Sequence, residues 1–299
     1  MHVFVTGASG WIGSAVTAEL LAAGHEVVGL ARSSRSADAI TAAGASVHHG
    51  SLDDPEGLRA AAKAADAVVH LGFNHDFSDM AGAWRTERAV VETFLDVLEG
   101  SDRPFLLASG VAGLTPGRVA TERDANPHRG PDSMRGGGEN LALDHADRGV
   151  RSVSLRFSPT VHGRDDHGFV ATLAGIARTT GVSGYVGDGS ARWPAVHRLD
   201  AARLVRLALE GAPAGSVVHA VGEEGVPTRQ IAEAIGRGLG VPAVSIDPAE
   251  VESRFGWIGR FFALDIPASS ALTRELLGWE PTHPGLLEDL DAGYYTAGV

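Results

Sequence analysis

The chain begins Met1-His2-Val3-Phe4-Val5-Thr6-Gly7-Ala8-Ser9-Gly10-Trp11-Ile12-Gly13. His2 to Val5 favours β-branched and aromatic side chains, the habit of a strand, and a helical pattern opens at Trp11. Between them Gly7, Gly10 and Gly13 stand at Thr-Gly-x-x-Gly-x-x-Gly spacing. In such a strand–turn–helix the first glycine allows a sharp turn and the second lets the backbone approach a pyrophosphate. The third lets the helix lie close on the strand, while the free N–H groups and the helix dipole attract the anion. The turn therefore predicts dinucleotide binding.

Working outward, Ile12 to Ala23 has helical periodicity and stops at Gly24, and His25 to Leu30 reads as a second strand. An acidic residue near the end of this strand usually receives a ribose hydroxyl. Here the residues are Ala31-Arg32-Ser33-Ser34-Arg35, and Arg32, Ser33 and Arg35 suit a 2′-phosphate, so NADPH is expected ahead of NADH. A helix over Ala37–Ala43 leads to a third strand at Ala45–His48. Asp53 is placed to meet the adenine, and Asp54 before Pro55 reads as a helix cap.

Strand four, Ala67–Leu71, runs into Gly72-Phe73-Asn74-His75. A long amphipathic helix over about Ser78–Leu98 then separates it from strand five, Phe105–Ala108. Ser109 falls just past that strand's carboxyl end, where ligands bind in open α/β sheets. The stretch from Gly110 to Gly138, with Pro116, Pro127 and Pro131, reads as a long functional or mobile loop in which Glu122 and Asp124 are expected as solvated charges, with acid or base work as the alternative. A helix at Glu139–Asp147 and a sixth strand at Arg151–Arg156 complete an alternation that predicts a right-handed, doubly wound parallel sheet, Rossmann-like. Later helices are expected at Gly168–Thr179, Asp200–Leu209, Thr228–Gly236, Pro248–Phe255 and Ser270–Leu277, a loop at Gly184–Val196, and a strand at Ser216–Val221. This divides the chain into a dinucleotide-binding domain, 1–161, to which 196–222 returns, and a smaller, mostly helical substrate lobe, 162–195 and 223–299.

The bulk composition narrows the function. The 299 residues, 44% hydrophobic, support a full core, and no apolar run is long enough to cross a bilayer. With no leader pattern at the first strand, a cytoplasmic location is expected. The absence of cysteine removes thiolate chemistry, and a net charge of −12 without a basic stretch argues against nucleic-acid or membrane partners and for a small-molecule substrate. The 13 histidines form no helical ligand pair, so no metal is expected.

These motifs, with Leu107-Ala108-Ser109-Gly110, Leu155-Arg156-Phe157-Ser158-Pro159-Thr160-Val161-His162-Gly163 and Trp193-Pro194-Ala195-Val196-His197-Arg198-Leu199-Asp200, resemble the atypical or extended short-chain dehydrogenase/reductases, the NAD-dependent epimerase/dehydratase group. The resemblance covers essentially the whole chain. It implies hydride chemistry at a nicotinamide, with cofactor contacts at Gly7, Ser9, Gly10, Trp11, Ile12, Gly13, Leu52, Asp53, Leu71, Gly72 and Phe73. Phe157, Ser158, Thr160 and Val161 would lie against the ring.

That family's Tyr-x-x-x-Lys pair has no counterpart here. Lys63 is the only lysine and precedes strand four, while Tyr185, Tyr294 and Tyr295 are far downstream. Counting back from Glu139 puts Arg135 at the lysine position and Pro131 at the tyrosine position. Ser109 and Arg135 are therefore the expected catalytic residues, Ser109 bonding the substrate oxygen and Arg135 stabilising negative charge. The proton would come from water, a cleft histidine or a phenol of the substrate. The chain most resembles the branch with angucyclinone ketoreductases of antibiotic biosynthesis, which implies an aromatic polyketide-type ketone. A non-catalytic NADP(H) sensor and an epimerase or dehydratase of a small metabolite are the alternatives.

Overall fold

The computed structural model describes residues 1–74 and 79–296; His75 and the first residue of the expected long helix, Ser78, lie outside them. The first half alternates without interruption through β1 (His2–Thr6), α1 (Trp11–Ala22), β2 (Glu26–Ala31), α2 (Ser34–Ala42), β3 (Ser46–His49), α3 (Pro55–Ala64), β4 (Ala67–His70), α4 (Met80–Leu98), β5 (Pro104–Gly110), α5 (Gly138–Asp144) and β6 (Arg151–Phe157). The second half contributes β7 (Thr160–His162), α6 (Phe169–Thr180), β8 (Ser183–Val186), β9 (Arg192–His197), α7 (Arg198–Gly211), β10 (Ser216–Ala220), β11 (Glu223–Pro227), α8 (Thr228–Leu239), β12 (Ala243–Ile246), α9 (Val251–Phe255), α10 (Trp257–Phe262), α11 (Ala271–Leu277) and α12 (Leu286–Asp291).

Seven strands form one sheet in the order β10-β6-β5-β4-β1-β2-β3. Every pairing in it is parallel. Its central strands are buried on both faces, which is why Val3-Phe4-Val5 and Ala67-Val68-Val69 read as unbroken apolar runs. One face packs on α1 and α7 through Val16, Leu20, Val205 and Leu209, and the other on α3 and α4 through Leu58, Phe94 and Leu98. The strand order reverses between β1 and β4, and the crevice at such a reversal is where α/β sheets bind ligands.

The glycine turn sits at that crevice. Gly7 has φ +71°, and a Cβ there would lie 2.8 Å from the Gly72 nitrogen after β4. At Gly13 a Cβ would lie only 2.0 Å from the Gly7 carbonyl oxygen. The closeness of α1 to β1 is thus incompatible with any side chain at this position.

The smaller lobe holds the expected helices and adds two small sheets, β11-β9-β7 and β12-β8. The segment expected as a loop, 184–196, therefore carries β8 and β9. Gly187 and Gly189, both at positive φ, and Pro194 inside β9 gave it a loop-like look. The ladder tolerates Pro194 because its register pairs Arg192, Trp193, Ala195, Val196 and His197. The lobe has its own core around Trp193, Ile231, Phe255 and Phe262.

The long segment after β5 is pinned, contrary to the expectation of a solvated loop. Glu122 is buried and accepts from the backbone N–H and hydroxyl of Thr273, at 2.7 and 2.6 Å. Asp124 pairs with Arg118 and caps Thr121. Farther on, buried Glu139 at the start of α5 accepts 2.7 Å from Nε of buried Arg156 on β6. Arg156 also donates 2.8 Å to the Asp124 carbonyl, so one guanidinium closes the segment over the sheet.

Two predictions follow from this packing. Gly13→Ala should cost about 3 kcal/mol or more in urea unfolding because backbone must move. Gly24→Ala, at φ +83° with nothing within 4 Å, should cost about 1 kcal/mol; equal losses would contradict the account. Glu139→Gln should cost about 3–5 kcal/mol by leaving Arg156 charged and buried, whereas Asp144→Asn, removing an exposed pair with Arg129, should stay within about 0.5 kcal/mol.

Candidate active site

A cleft of about 460 Å³ opens at the carboxyl ends of β5 and β6, between the sheet and the smaller lobe. Of the residues expected to act there, Ser109, Arg135, Trp11, Ile12, Phe157, Ser158, Thr160 and Val161 all line it. Its apolar lining includes Met134, Phe169, Val170 and Phe261. Phe169 and Phe261 pack ring to ring at 5.1 Å and back onto Trp193.

Ser109 is nearly buried, and its hydroxyl donates 2.6 Å to Oε2 of Glu139. Its one proton goes to that carboxylate here, not to a free position in the cleft. The Asn126 side-chain amide donates to the same Oε2 at 2.5 Å. Burial alone would raise the Glu139 carboxyl, but the Arg156 charge and the Ser109 and Asn126 hydrogen bonds hold it below the usual carboxylate range.

Arg135 does not stand on the helix before β6. It precedes α5 in a tight turn, at φ +52°, with Gly136 and Gly137 also left-handed. A Cβ at Gly136 would lie 2.7 Å from the Trp84 carbonyl of α4, so the close approach of this turn to α4 needs glycine. Arg135 donates 2.7 Å to buried Glu87 of α4, and its guanidinium lies 4.6 Å from the centre of the Phe73 ring. Glu87 in turn faces His70 at 3.3 Å, and His70 meets Thr6 of the glycine-turn motif at 2.6 Å. Although desolvation raises the Glu87 carboxyl, Arg135 and His70 bring it down from 4.5 to about 2. The ionised form is therefore favoured by folding; that contribution is complete above about pH 4.5 and is lost as pH falls through about 2. Glu87 was not singled out in the sequence, because within an amphipathic helix nothing distinguishes a buried, paired glutamate from a solvated one.

The dinucleotide features fit together. A Cβ on Gly10 would meet only the Gly7 oxygen, so this side of the turn is open, and no side chain caps the N-terminus of α1. The buried hydroxyl of Thr160 lacks a hydrogen-bond partner and belongs to the cleft wall, where a nicotinamide carboxamide could accept or donate. Arg32 and Arg35 are exposed beyond β2, with no side-chain partner among the described residues. Ser33 caps α2 by accepting from the Ser36 N–H, so its hydroxyl already has a structural use.

Asp53 accepts from Thr86 at 3.2 Å, and Leu52 packs partly into the core under the loop. Gly72 donates its N–H to Thr6. Ser158 spends its hydroxyl on the Ala220 carbonyl, tying the cleft wall to β10. Trp11 donates 2.7 Å to the Val161 carbonyl.

Below the cleft, Trp193 is core, and Asp200 bonds Thr282 and His283 of the C-terminal segment. Among the described residues, His197, Asp200 and His283 bring ligand-type atoms within 4.8 Å of one another. The two rings are stacked 4.7 Å apart with planes 8° from parallel, so their in-plane lone pairs do not converge on one point. Asp200 is already occupied as an acceptor, and the cluster is accounted for as a tether.

The chain shares 45% identity over 296 residues with an uncharacterized protein of Schizosaccharomyces pombe, covering 99% of this chain and 100% of that one. It shares 46% over 298 residues with an uncharacterized protein of Saccharomyces cerevisiae, covering 98% and 99%. Among solved structures, UDP-glucose 4-epimerase of Thermotoga maritima with UDP-glucose superposes with TM-score 0.75 at 20% identity, over 98% of this chain and 97% of that one. The dTDP-glucose 4,6-dehydratase DesIV of Streptomyces venezuelae, with NAD and TYD bound, does so with TM-score 0.77 at 20%, over 98% and 96%. No helix among the described residues is long and apolar enough to cross a membrane. The model of the NAD dependent epimerase/dehydratase family matches residues 3–221, and with the glycine turn, the sheet order and the cleft in place, the chain belongs to that family.

Proposed function

We propose that the protein is an NADPH-dependent ketoreductase acting on a carbonyl of a bulky, aromatic, polyketide-type compound. The observation that carries this reading is the make-up of the cleft: an aromatic and aliphatic wall, with Arg135 as the one arginine or lysine among the described lining residues, already paired with Glu87. Glu87, Glu139 and Asp166 add carboxylates to the same lining. Such a cleft offers no unpaired cation among its described lining residues to the diphosphate of a nucleotide sugar and favours a flat, neutral ring system. Phe169 and Phe261 offer such rings an edge-to-face partner.

When bound, NADPH would supply hydride. The glycine turn and the free N-terminus of α1 would hold its pyrophosphate, Thr160 its carboxamide, and Arg32 with Arg35 its 2′-phosphate. Arg135, fixed by Glu87 and by the Phe73 face, leaves N–H groups for a carbonyl oxygen as negative charge develops on it. A guanidinium stabilises that charge but does not give up its proton. The lack of the Tyr-x-x-x-Lys pair therefore separates charge stabilisation from proton supply in this reading.

Two measurements test it. Arg32→Ala should raise the Kd for NADPH about 10- to 100-fold and leave NADH within about twofold, as loss of a charge-assisted phosphate contact requires; equal effects on both would refute the 2′-phosphate assignment. With NADPH, purified protein should reduce aromatic ketones such as 1-tetralone and leave UDP-glucose and dTDP-glucose unchanged. Tight NADPH binding with no turnover of any ketone would remove the reductase reading.

A further inference from the structure

We propose that His128 is the proton donor to the substrate oxygen, an assignment that rests on the reductase reading and completes it. His128 lines the cleft, half-buried, and its imidazole has no hydrogen-bond, ion-pair or ring partner among the described residues. Of the other polar cleft groups, Ser109 and Asn126 bond Glu139, Arg135 bonds Glu87 and keeps its remaining N–H groups for the oxygen's charge, the Thr160 hydroxyl is assigned to the carboxamide, and Asp166 accepts from the Gly168 N–H and the Tyr295 hydroxyl.

The backbone of His128, by contrast, is held at both ends. Its N–H donates 2.9 Å to Oδ1 of Asn126, and its carbonyl accepts 2.6 Å from Nδ2 of Asn140 on α5. Asn126 shares the Glu139 Oε2 atom with Ser109, so one carboxylate fixes both the end of β5 and the residue that aims the histidine loop. A free imidazole on a pinned backbone, in the lining of the cleft, is the arrangement a proton donor needs: an N–H not spent on the protein, and access to solvent for reloading.

The imidazolium N–H bond breaks, and its proton joins the carbonyl oxygen as the C=O π electrons move onto that oxygen. The carbonyl carbon gains hydride from a reduced nicotinamide as co-reactant, and the neutral imidazole regains a proton from water. Arg135 carries the negative charge of the oxygen in transit.

His128→Asn tests the assignment with two ketones. 1-Tetralone has no proton of its own to give; 8-hydroxy-1-tetralone carries a phenol beside the carbonyl. The variant should reduce 1-tetralone about 10²- to 10⁴-fold more slowly in kcat, with KM and NADPH affinity nearly unchanged, and lose much less on the phenolic ketone. Added imidazole should restore part of the rate in His128→Ala. A readout without cofactor accompanies these: in protein labelled with ¹³C at histidine Cε1, 1-tetralone should shift a signal that is missing from His128→Asn. Full turnover of 1-tetralone by a folded His128→Asn protein, or equal loss on both ketones with no rescue, would overturn the role of His128 while leaving the reductase reading intact. Failure of the wild-type protein on both ketones would remove the two together.

Discussion

The carboxylate of Glu139 is the constraint on which the cleft depends. It is buried, yet its two oxygens satisfy three donors from three places: Arg156 on β6, Ser109 at the end of β5, and Asn126 in the long connection. Removing a carboxylate and a guanidinium from water is costly, and their attraction offsets that only when the remaining hydrogen bonds are made. Here they are: Arg156 also reaches the Asp124 carbonyl and lies 3.4 Å from Nε2 of His219. The second His219 nitrogen bonds the Ser269 carbonyl at 2.8 Å, and burial holds this imidazole below its ordinary pKa. It can therefore stand beside a guanidinium as a neutral acceptor. This satisfied polar knot lets an irregular segment of nearly thirty residues lie over the sheet edge as a wall.

The parts of this that were legible in the sequence are the parts fixed by local chemistry. The glycine spacing gave the turn because two of its three positions have no room for a Cβ, and the apolar runs gave the central strands because both faces are covered. The short strands of the smaller lobe were hidden because β9 carries a proline and β8 is followed by glycines, and their pairing partners come from elsewhere in the chain. The burial and pairing of Glu87, Glu122 and Glu139 were hidden for a related reason. A glutamate on a helix or in a proline-rich connection looks solvated until the partner that neutralises it is known, and those partners, Arg135, Thr273 and Arg156, lie 48, 151 and 17 residues away.

Ser109 shows the same limit from the other side. Its position at the end of β5 was legible, but the direction of its proton was not, since that depends on a carboxylate 30 residues on. Arg135 was found by counting from Glu139 and falls in the stretch read as a loop, but that reading did not show that the backbone there is a left-handed turn held against α4. Placement on a turn moves the guanidinium off the helix axis and into contact with Phe73 and Glu87.

Trp11 joins these two halves. It opens α1 within the glycine turn, yet its indole N–H bonds the Val161 carbonyl, and Arg198 of α7 covers its ring at 4.2 Å. His167, at the entrance to α6, meets the same ring edge-on at 5.6 Å. The residue that begins the pyrophosphate-type turn is thus also packed on segments that lead into the smaller lobe. A ligand held at the turn would therefore lie beside a side chain that touches Val161, Arg198 and His167 at the cleft. Glycine supplies the room for the anion, and the tryptophan beside it joins that room to the cleft.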